Sequence, residues 1–393
     1  MEQTWRWFGP DDPVTLDNVI QAGASGIVTA LHDIPHGRVW PSDAIARRMA
    51  AIEGAGLRWS VCESIPVHDA IKRGAPQARV FIDAWKDSLA NLGRVGVEVV
   101  CYNFMPVVDW TRTQLTYPLP SKGLALRFDI VDFAAYDCFV LKRRGAEGSY
   151  DAPLLAAAKA RHAAMDDSAV ATLERTIIAG LPGGAEMQTR DSITKLIAGY
   201  DGIGEEAMRA HLRDFLREVV PVAEEFGMRL GIHPDDPPFS LFGLPRVVSN
   251  AADARRILAD VDSPANGLTF CVGSYGSRPD NDLSAMAREF APRIHFAHLR
   301  NVTLQGERTF YEAEHLEGRG DMVELIAILL AEERAAEREG RRPSIPMRPD
   351  HGHLLGDDIH KATNPGYSFA GRMKGLAELR GVMRALERPR GPR

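Results

Sequence analysis

Short apolar runs rich in β-branched residues recur along this chain, separated by longer stretches of helical period. That alternation is the mark of βα units around a parallel sheet. The strand candidates are Gly26–Leu31, Arg58–Ser64, Val97–Asn103, Arg229–His233, Leu268–Gly273, Ile294–Leu299 and Ser344–Arg348. An eighth is expected at Thr176–Ala179, where the sequence reads TIIA. Helical patterns are clearest over Glu205–Phe226, Ala251–Val261 and Asp321–Arg338, and the charged run EERAAEREGRR in the last reads as a solvated face. Eight strands with intervening helices predict an α/β fold, a (β/α)8 TIM barrel, and 393 residues fit one such catalytic domain with insertions. A nucleotide-binding sheet is disfavoured, because neither GxGxxG nor GxxxxGK[ST] follows a strand. The glycine-rich piece Gly199–Gly204 lies between helical patterns and reads as a loop. Thr111–Arg175 is too long for one βα connection, so it is expected to be an insertion on the catalytic side, a lid or an oligomer contact. The tail Glu387–Arg393 is expected to fray.

Charge and cysteine content narrow the function. A net charge of -6 leaves no basic footprint for nucleic acid or an anionic membrane surface. No apolar run approaches the ~20 residues of a membrane span. Four cysteines in so long a chain are no disulfide framework, and the N-terminus has neither the basic nor the apolar part of a secretory signal. A cytoplasmic enzyme is the expectation.

In such a barrel, catalytic groups come from the carboxyl ends of strands and the loops after them. Four consecutive candidates from the second half end in a potential metal ligand: His233, Cys271, His298 and Asp350. Two imidazoles, a thiolate and a carboxylate suit a divalent transition metal better than Mg²⁺ or Ca²⁺. Cys62, Cys101 and Cys138 read instead as small buried hydrophobes. Alternate strand residues share a face, so His298 points with Arg300 and Asp350 with Arg348. Those two arginines are therefore expected near the site, as cations for an anionic substrate. Strict strand geometry separates Asp350 from His351, but Gly352 and the strand's end allow a turn that brings both inward. Tyr367 in TNPGYS is a candidate proton donor, or a base if a metal or arginine lowers its pKa. The loop HDIPHGRVWP offers His32, His36, Arg38 and Trp40 either as a substrate-facing surface or as a packed turn. Glu63, Asn103 and Asp109 are weaker candidates.

At these residues the chain closely resembles the bacterial mannonate dehydratase family, metal-dependent hydro-lyases of hexuronate (glucuronate) catabolism distinct from the enolase-like enzymes with the same activity. The matching motifs are WRWFGP (5–10), GIVTALHDIPHGRVWP (26–41), YNFMPVVDWTRT (102–113), HPDDPP (233–238), GLPRVVS (243–249), CVGSYGSRPDNDL (271–283), FAHLRN (296–301), RPDHGH (348–353) and TNPGYS (363–368). The resemblance implies a xylose-isomerase-like barrel and conversion of D-mannonate to 2-dehydro-3-deoxy-D-gluconate plus water. It implies Mn²⁺ or Fe²⁺ on His233, Cys271, His298 and Asp350, with His351 and Tyr367 as the acid–base pair. Ligand chemistry alone also permits Zn²⁺. Arg300, Arg348, His32 and Arg38 are the expected substrate contacts, and a homo-oligomer is expected. Two rivals are a sugar isomerase or epimerase on the same barrel and a non-catalytic sugar-acid-binding protein. Cys271 at a ligand position argues against the first, since such enzymes favour carboxylate-rich sites.

Overall fold

The computed structural model describes residues 1–178, 189–341 and 344–387. Its strands, in chain order, are β1 (Glu2–Arg6), β2 (Gly26–Thr29), β3 (Arg58–Glu63), β4 (Val99–Tyr102), β5 (Gln114–Pro118), β6 (Leu124–Phe128), β7 (Arg229–Ile232), β8 (Asn266–Cys271), β9 (Ile294–His298), β10 (Asn301–Leu304), β11 (Phe310–Ala313) and β12 (Pro346–Arg348). Eight of them close a parallel barrel in the order β1-β12-β9-β8-β7-β4-β3-β2. Val28, Val61, Val99, Cys101 and Phe296 form a plug separate from the larger apolar shell between barrel and helices. These positions follow the side-chain alternation of their strands, so the next residues of the same parity stand one layer higher, at the carboxyl end.

The barrel and its seven readable strands are as expected, but the remaining strand is not at Thr176–Ala179. Thr176, Ile177 and Ile178 end the helix Asp167–Ile178, and Ala179 lies outside the described residues. Their β-branched composition is overridden by the helix, in which Leu173 and Ile177 are buried and the Thr176 hydroxyl donates to the Thr172 carbonyl. The closing strand is β1, paired with β12 and β2. EQTWR has one apolar residue, because Thr4 and Arg6 face the barrel interior while Trp5 packs outward. Trp5 lies 6.0 Å from the Phe369 ring, under the Arg372 guanidinium at 4.1 Å.

The expected insertion resolves into a hairpin and helices. β5 and β6 pair antiparallel, β6 pairs with β11, and β11 with β10, giving a second sheet in the order β10-β11-β6-β5. Half of that sheet therefore comes from the loop after β9, over the carboxyl end of the barrel. The alanine-rich stretch is the helix Ala152–Ala163. The other helical readings hold within a residue or so, at Glu205–Glu225, Ala251–Asp260 and Met322–Arg338. Arg388–Arg393 of the tail lie outside the described residues. Among the described residues, no helix is long and apolar enough to cross a membrane.

Because Trp5 is fully buried where the barrel closes, Trp5→Ala should lower stability by ~3–5 kcal/mol. Urea titration monitored by far-UV circular dichroism measures this; an unchanged midpoint would mean that β1 contributes nothing to barrel closure.

Candidate metal and acid–base centre

Register explains why the ligand candidates converge. Cys271 pairs with His298 across β8 and β9, and His298 with Arg348 across β9 and β12. His233 follows β7, and Asp350 stands two residues beyond Arg348 on the same parity. His233, Cys271 and His298 are brought together with donor atoms within 4.8 Å of one another. His233 Nε2 lies 3.2 Å from His298 Nδ1. Asp350 Oδ2 completes the group, 3.6 Å from His298 Nδ1 and 4.0 Å from Cys271 Sγ.

Neighbouring groups select the tautomers. His233 Nδ1 donates to the Pro234 carbonyl at 2.7 Å, which leaves Nε2 as the free lone pair. His298 turns Nε2 towards Glu63 Oε2 at 3.6 Å and Nδ1 towards the other ligands. Ser274 Oγ donates to Cys271 Sγ at 3.2 Å. Burial raises the Cys271 pKa, but Arg300, His233 and His298 outweigh it and hold the thiol well below its usual value. Burial likewise opposes ionisation of Asp350, and Arg348, His351, His298 and Arg300 keep it a carboxylate. A tetrahedral ion with bond lengths of about 2.0–2.3 Å has ligand–ligand edges of about 3.3–3.7 Å. The donor set and its spacings therefore fit a divalent transition metal.

Asp350 and His351 both reach the site because Asp350 has φ +63°. That left-handed conformation breaks strand alternation, and Asp tolerates it better than most residues. His351 Nδ1 donates to Glu312 Oε1 at 3.1 Å, and its Nε2 lies 3.7 Å from Asp350 Oδ1. Tyr367 approaches from the other side, its hydroxyl 3.3 Å from Asp350 Oδ1 and 3.4 Å from Arg348 Nη1. Burial outweighs the influence of Arg348 and pushes the Tyr367 pKa up to about 12.

Arg300 and Arg348 reach the centre, as their parity requires, but both are engaged by protein carboxylates. Arg300 binds Glu312 at 2.9 Å, Asp236 at 2.5 Å and Asp350 at 3.0 Å. Arg348 binds Glu63 at 2.9 Å and Asp350 at 2.5 Å. Both therefore stand as positioned groups that orient Asp350 and not as open cations, and their contact with a substrate stays an expectation. Arg38 is exposed on its turn, and among the described residues no ion pair joins it to the cluster. Trp40 in the same loop is packed, its backbone held by Ser88 and Asn91. His32 lies 5.5 Å from the Phe8 ring. Asp109 pairs with Lys72, outside the cluster.

Sequence reasoning misses Arg6, Arg112, Asp236 and Glu312. Arg112 is fully buried between Asp236 and Glu312, at 2.8 Å from each. Its guanidinium stacks over Trp110 and Phe310. The doubled aspartate of HPDDPP is a usable signal for Asp236, whereas Glu312 depends on a sheet pairing far from it in sequence.

The family model for D-mannonate dehydratase (UxuA) matches residues 1–391. Mannonate dehydratase 2 of Agrobacterium fabrum is 63% identical over 388 residues, covering 99% of this chain and 98% of that protein. Mannonate dehydratase of Saccharophagus degradans is 54% identical over 389 residues, covering 98% of each. Among solved structures, mannonate dehydratase from Streptococcus suis serotype 2 superposes with a TM-score of 0.77 at 35% identity, covering 98% of this chain and 93% of that one. A xylose isomerase-like TIM barrel protein from Mycobacterium smegmatis, at 13% identity and a TM-score of 0.51 with 94% and 87% covered, shares the fold alone. With a full-length family match and relatives of this identity, the chain belongs to the D-mannonate dehydratase family.

Proposed function

We infer that the chain is a hydro-lyase that converts D-mannonate to 2-dehydro-3-deoxy-D-gluconate and water, as a cytoplasmic enzyme. The observation that carries this reading is the pair of proton-transfer groups, His351 and Tyr367, on either side of Asp350 in a buried donor set of His233, Cys271 and His298. Those four residues would hold a divalent ion, Mn²⁺ or Fe²⁺ by family resemblance. When bound, it supplies positive charge opposite the negative charge that develops on the substrate's oxygens.

The protein's own groups divide the proton transfers. Glu312 fixes the proton of His351 on Nδ1 and leaves Nε2 as a base. His351 takes the proton from C2 as the C3–oxygen bond breaks. Tyr367 holds its proton well above neutral pH, so it delivers that proton to the departing hydroxyl, which leaves as water. The resulting enol tautomerises to the 2-keto acid. The His351 proton returning to Tyr367 restores both groups.

Incubation of the purified protein with Mn²⁺ and D-mannonate, with an assay for a 2-keto-3-deoxy acid, tests the activity; no product would overturn it. The division of labour between adjacent residues is tested by two variants. Asp350→Asn should lower metal content and turnover together, with partial recovery in excess Mn²⁺. His351→Asn should keep near-wild-type metal content and lose turnover by ~10²–10⁴-fold. Metal analysis with steady-state kinetics decides, and the opposite pattern would exchange the two roles. Cys271→Ser replaces a soft ligand by a poorly ionised one and should weaken metal retention on dialysis. Full metal content and turnover in that variant would reduce Cys271 to packing.

A further inference from the structure

Among the described residues, the centre contains one guanidinium whose hydrogen-bonding capacity is unused. Arg6 ends β1, is 2% exposed, and among the described residues none of its three side-chain nitrogens has a hydrogen-bond partner. Glu63 Oε1 lies 3.1 Å from its Nη1, out of line for a hydrogen bond, and is also taken by Arg348. Arg112, Arg300 and Arg348 differ: each donates at least three hydrogen bonds. A buried guanidinium left with unmet donors is costly unless something fills them.

Its surroundings indicate what would. The Arg6 guanidinium sits 5.0 Å from the Phe8 ring and 6.0 Å from the Tyr367 ring. His32 also lies against Phe8, and its Nε2 is likewise buried, without a partner among the described residues. Burial first, then Arg6 and Arg48, push the His32 pKa down to about 3, so the ring is neutral and adds no charge. Two unfilled polar groups therefore share the Tyr367 side of the centre. The charge count agrees. Arg6, Arg112, Arg300 and Arg348 are balanced by Glu63, Asp236, Glu312 and Asp350 through direct contacts. A divalent ion together with a Cys271 thiolate would leave one positive charge in excess, which one carboxylate neutralises.

We propose that Arg6, assisted by His32, binds the carboxylate of the sugar-acid substrate and sets the enzyme's preference for acids over uncharged sugars. This rests on the dehydratase reading and deepens it. A carboxylate there meets the planar donor fork it is shaped for, and C2 and C3, the next carbons, lie towards Tyr367 and His351.

The test uses calorimetric binding to the Mn²⁺-loaded His351→Asn protein, which should bind substrate without consuming it. The probes are D-mannonate and its uncharged amide, D-mannonamide. D-Mannonate should bind about 10–100-fold more tightly than the amide. Adding Arg6→Gln should bring D-mannonate down to the level of the amide while leaving amide binding nearly unchanged. Arg6→Lys, which keeps the charge and loses the fork, should retain an intermediate preference. If Arg6→Gln fails to fold, Arg6→Lys decides alone, and an unaltered acid-to-amide ratio in it overturns the proposal. Equal weakening of both probes by Arg6→Gln also overturns it, as does no weakening of either. Turnover of D-mannonate by the wild-type protein is measured alongside, so that failure of the dehydratase reading is seen separately from failure of Arg6.

Discussion

The centre depends on a buried lattice of alternating charge. Arg6, Glu63, Arg348, Asp350, Arg300, Glu312, Asp236 and Arg112 form one connected chain of ion pairs, each contact at 3.1 Å or less. Removing so many charges from water is expensive, and burial opposes ionisation at every acid among them. Mutual pairing offsets that cost: Glu63, Asp236, Glu312 and Asp350 all remain below their ordinary carboxylate range. Breaking one member would strand its partners, with a penalty of about 3–5 kcal/mol for a buried pair. A lattice of this kind is poor evidence of stability and good evidence of positioning, because its carboxylates are each held from two or more directions.

Two sheets contribute to that lattice, and this gives the long connections a purpose. The barrel supplies Arg6, Glu63 and Arg348 from its strands, while Glu312 comes from β11 and Arg112 from the approach to β5. Glu312 simultaneously meets Arg112, Arg300 and His351. The second sheet therefore fixes the tautomer of His351, the histidine proposed to move the proton. Its hairpin strand β6 stacks Phe128 on its cross-strand partner Phe310, on the same face of β11 as Glu312. An insertion expected to act as a lid or contact surface thus includes part of the support for the proposed acid–base pair.

How much is legible in the sequence depends on how locally it is encoded. β8 and β9 are mostly apolar and β-branched runs buried on both faces, and each ends in a candidate ligand, so strand, parity and candidate site emerge together from a few residues. Parity places Arg300 and Arg348 correctly, yet their partners are invisible because Asp236, Glu312 and Glu63 arrive from distant segments. β1 escapes for the opposite reason to β8: its inward positions, Thr4 and Arg6, are polar because they line the interior beside the site. A strand that serves the chemistry loses the apolar pattern by which strands are recognised. Thr176–Ile178 misleads in the reverse sense, with β-branched composition inside an amphipathic helix.

The adjacent pair Asp350 and His351 shows how a single backbone torsion can create two functions. In an extended strand, neighbouring side chains leave on opposite faces, and His351 would point into the helical shell. The left-handed conformation at Asp350 turns the chain so that both side chains remain on the site. Close packing at Gly352 holds the turn, since a Cβ there would come within 2.4 Å of the Arg372 backbone nitrogen and 2.5 Å of the Gly371 carbonyl carbon. His315 Nε2 donates to the Pro349 carbonyl at 2.8 Å, and His353 Nε2 to the Glu312 carbonyl at 2.8 Å. Both imidazoles must carry their proton on the bonded nitrogen, so each ties the turn to its neighbours. The strain of an unfavourable torsion, of order 1–3 kcal/mol, is thereby met by close packing and two buried hydrogen bonds. In return, a carboxylate that stays ionised and the imidazole proposed to exchange a proton sit one residue apart without either occupying the other's position.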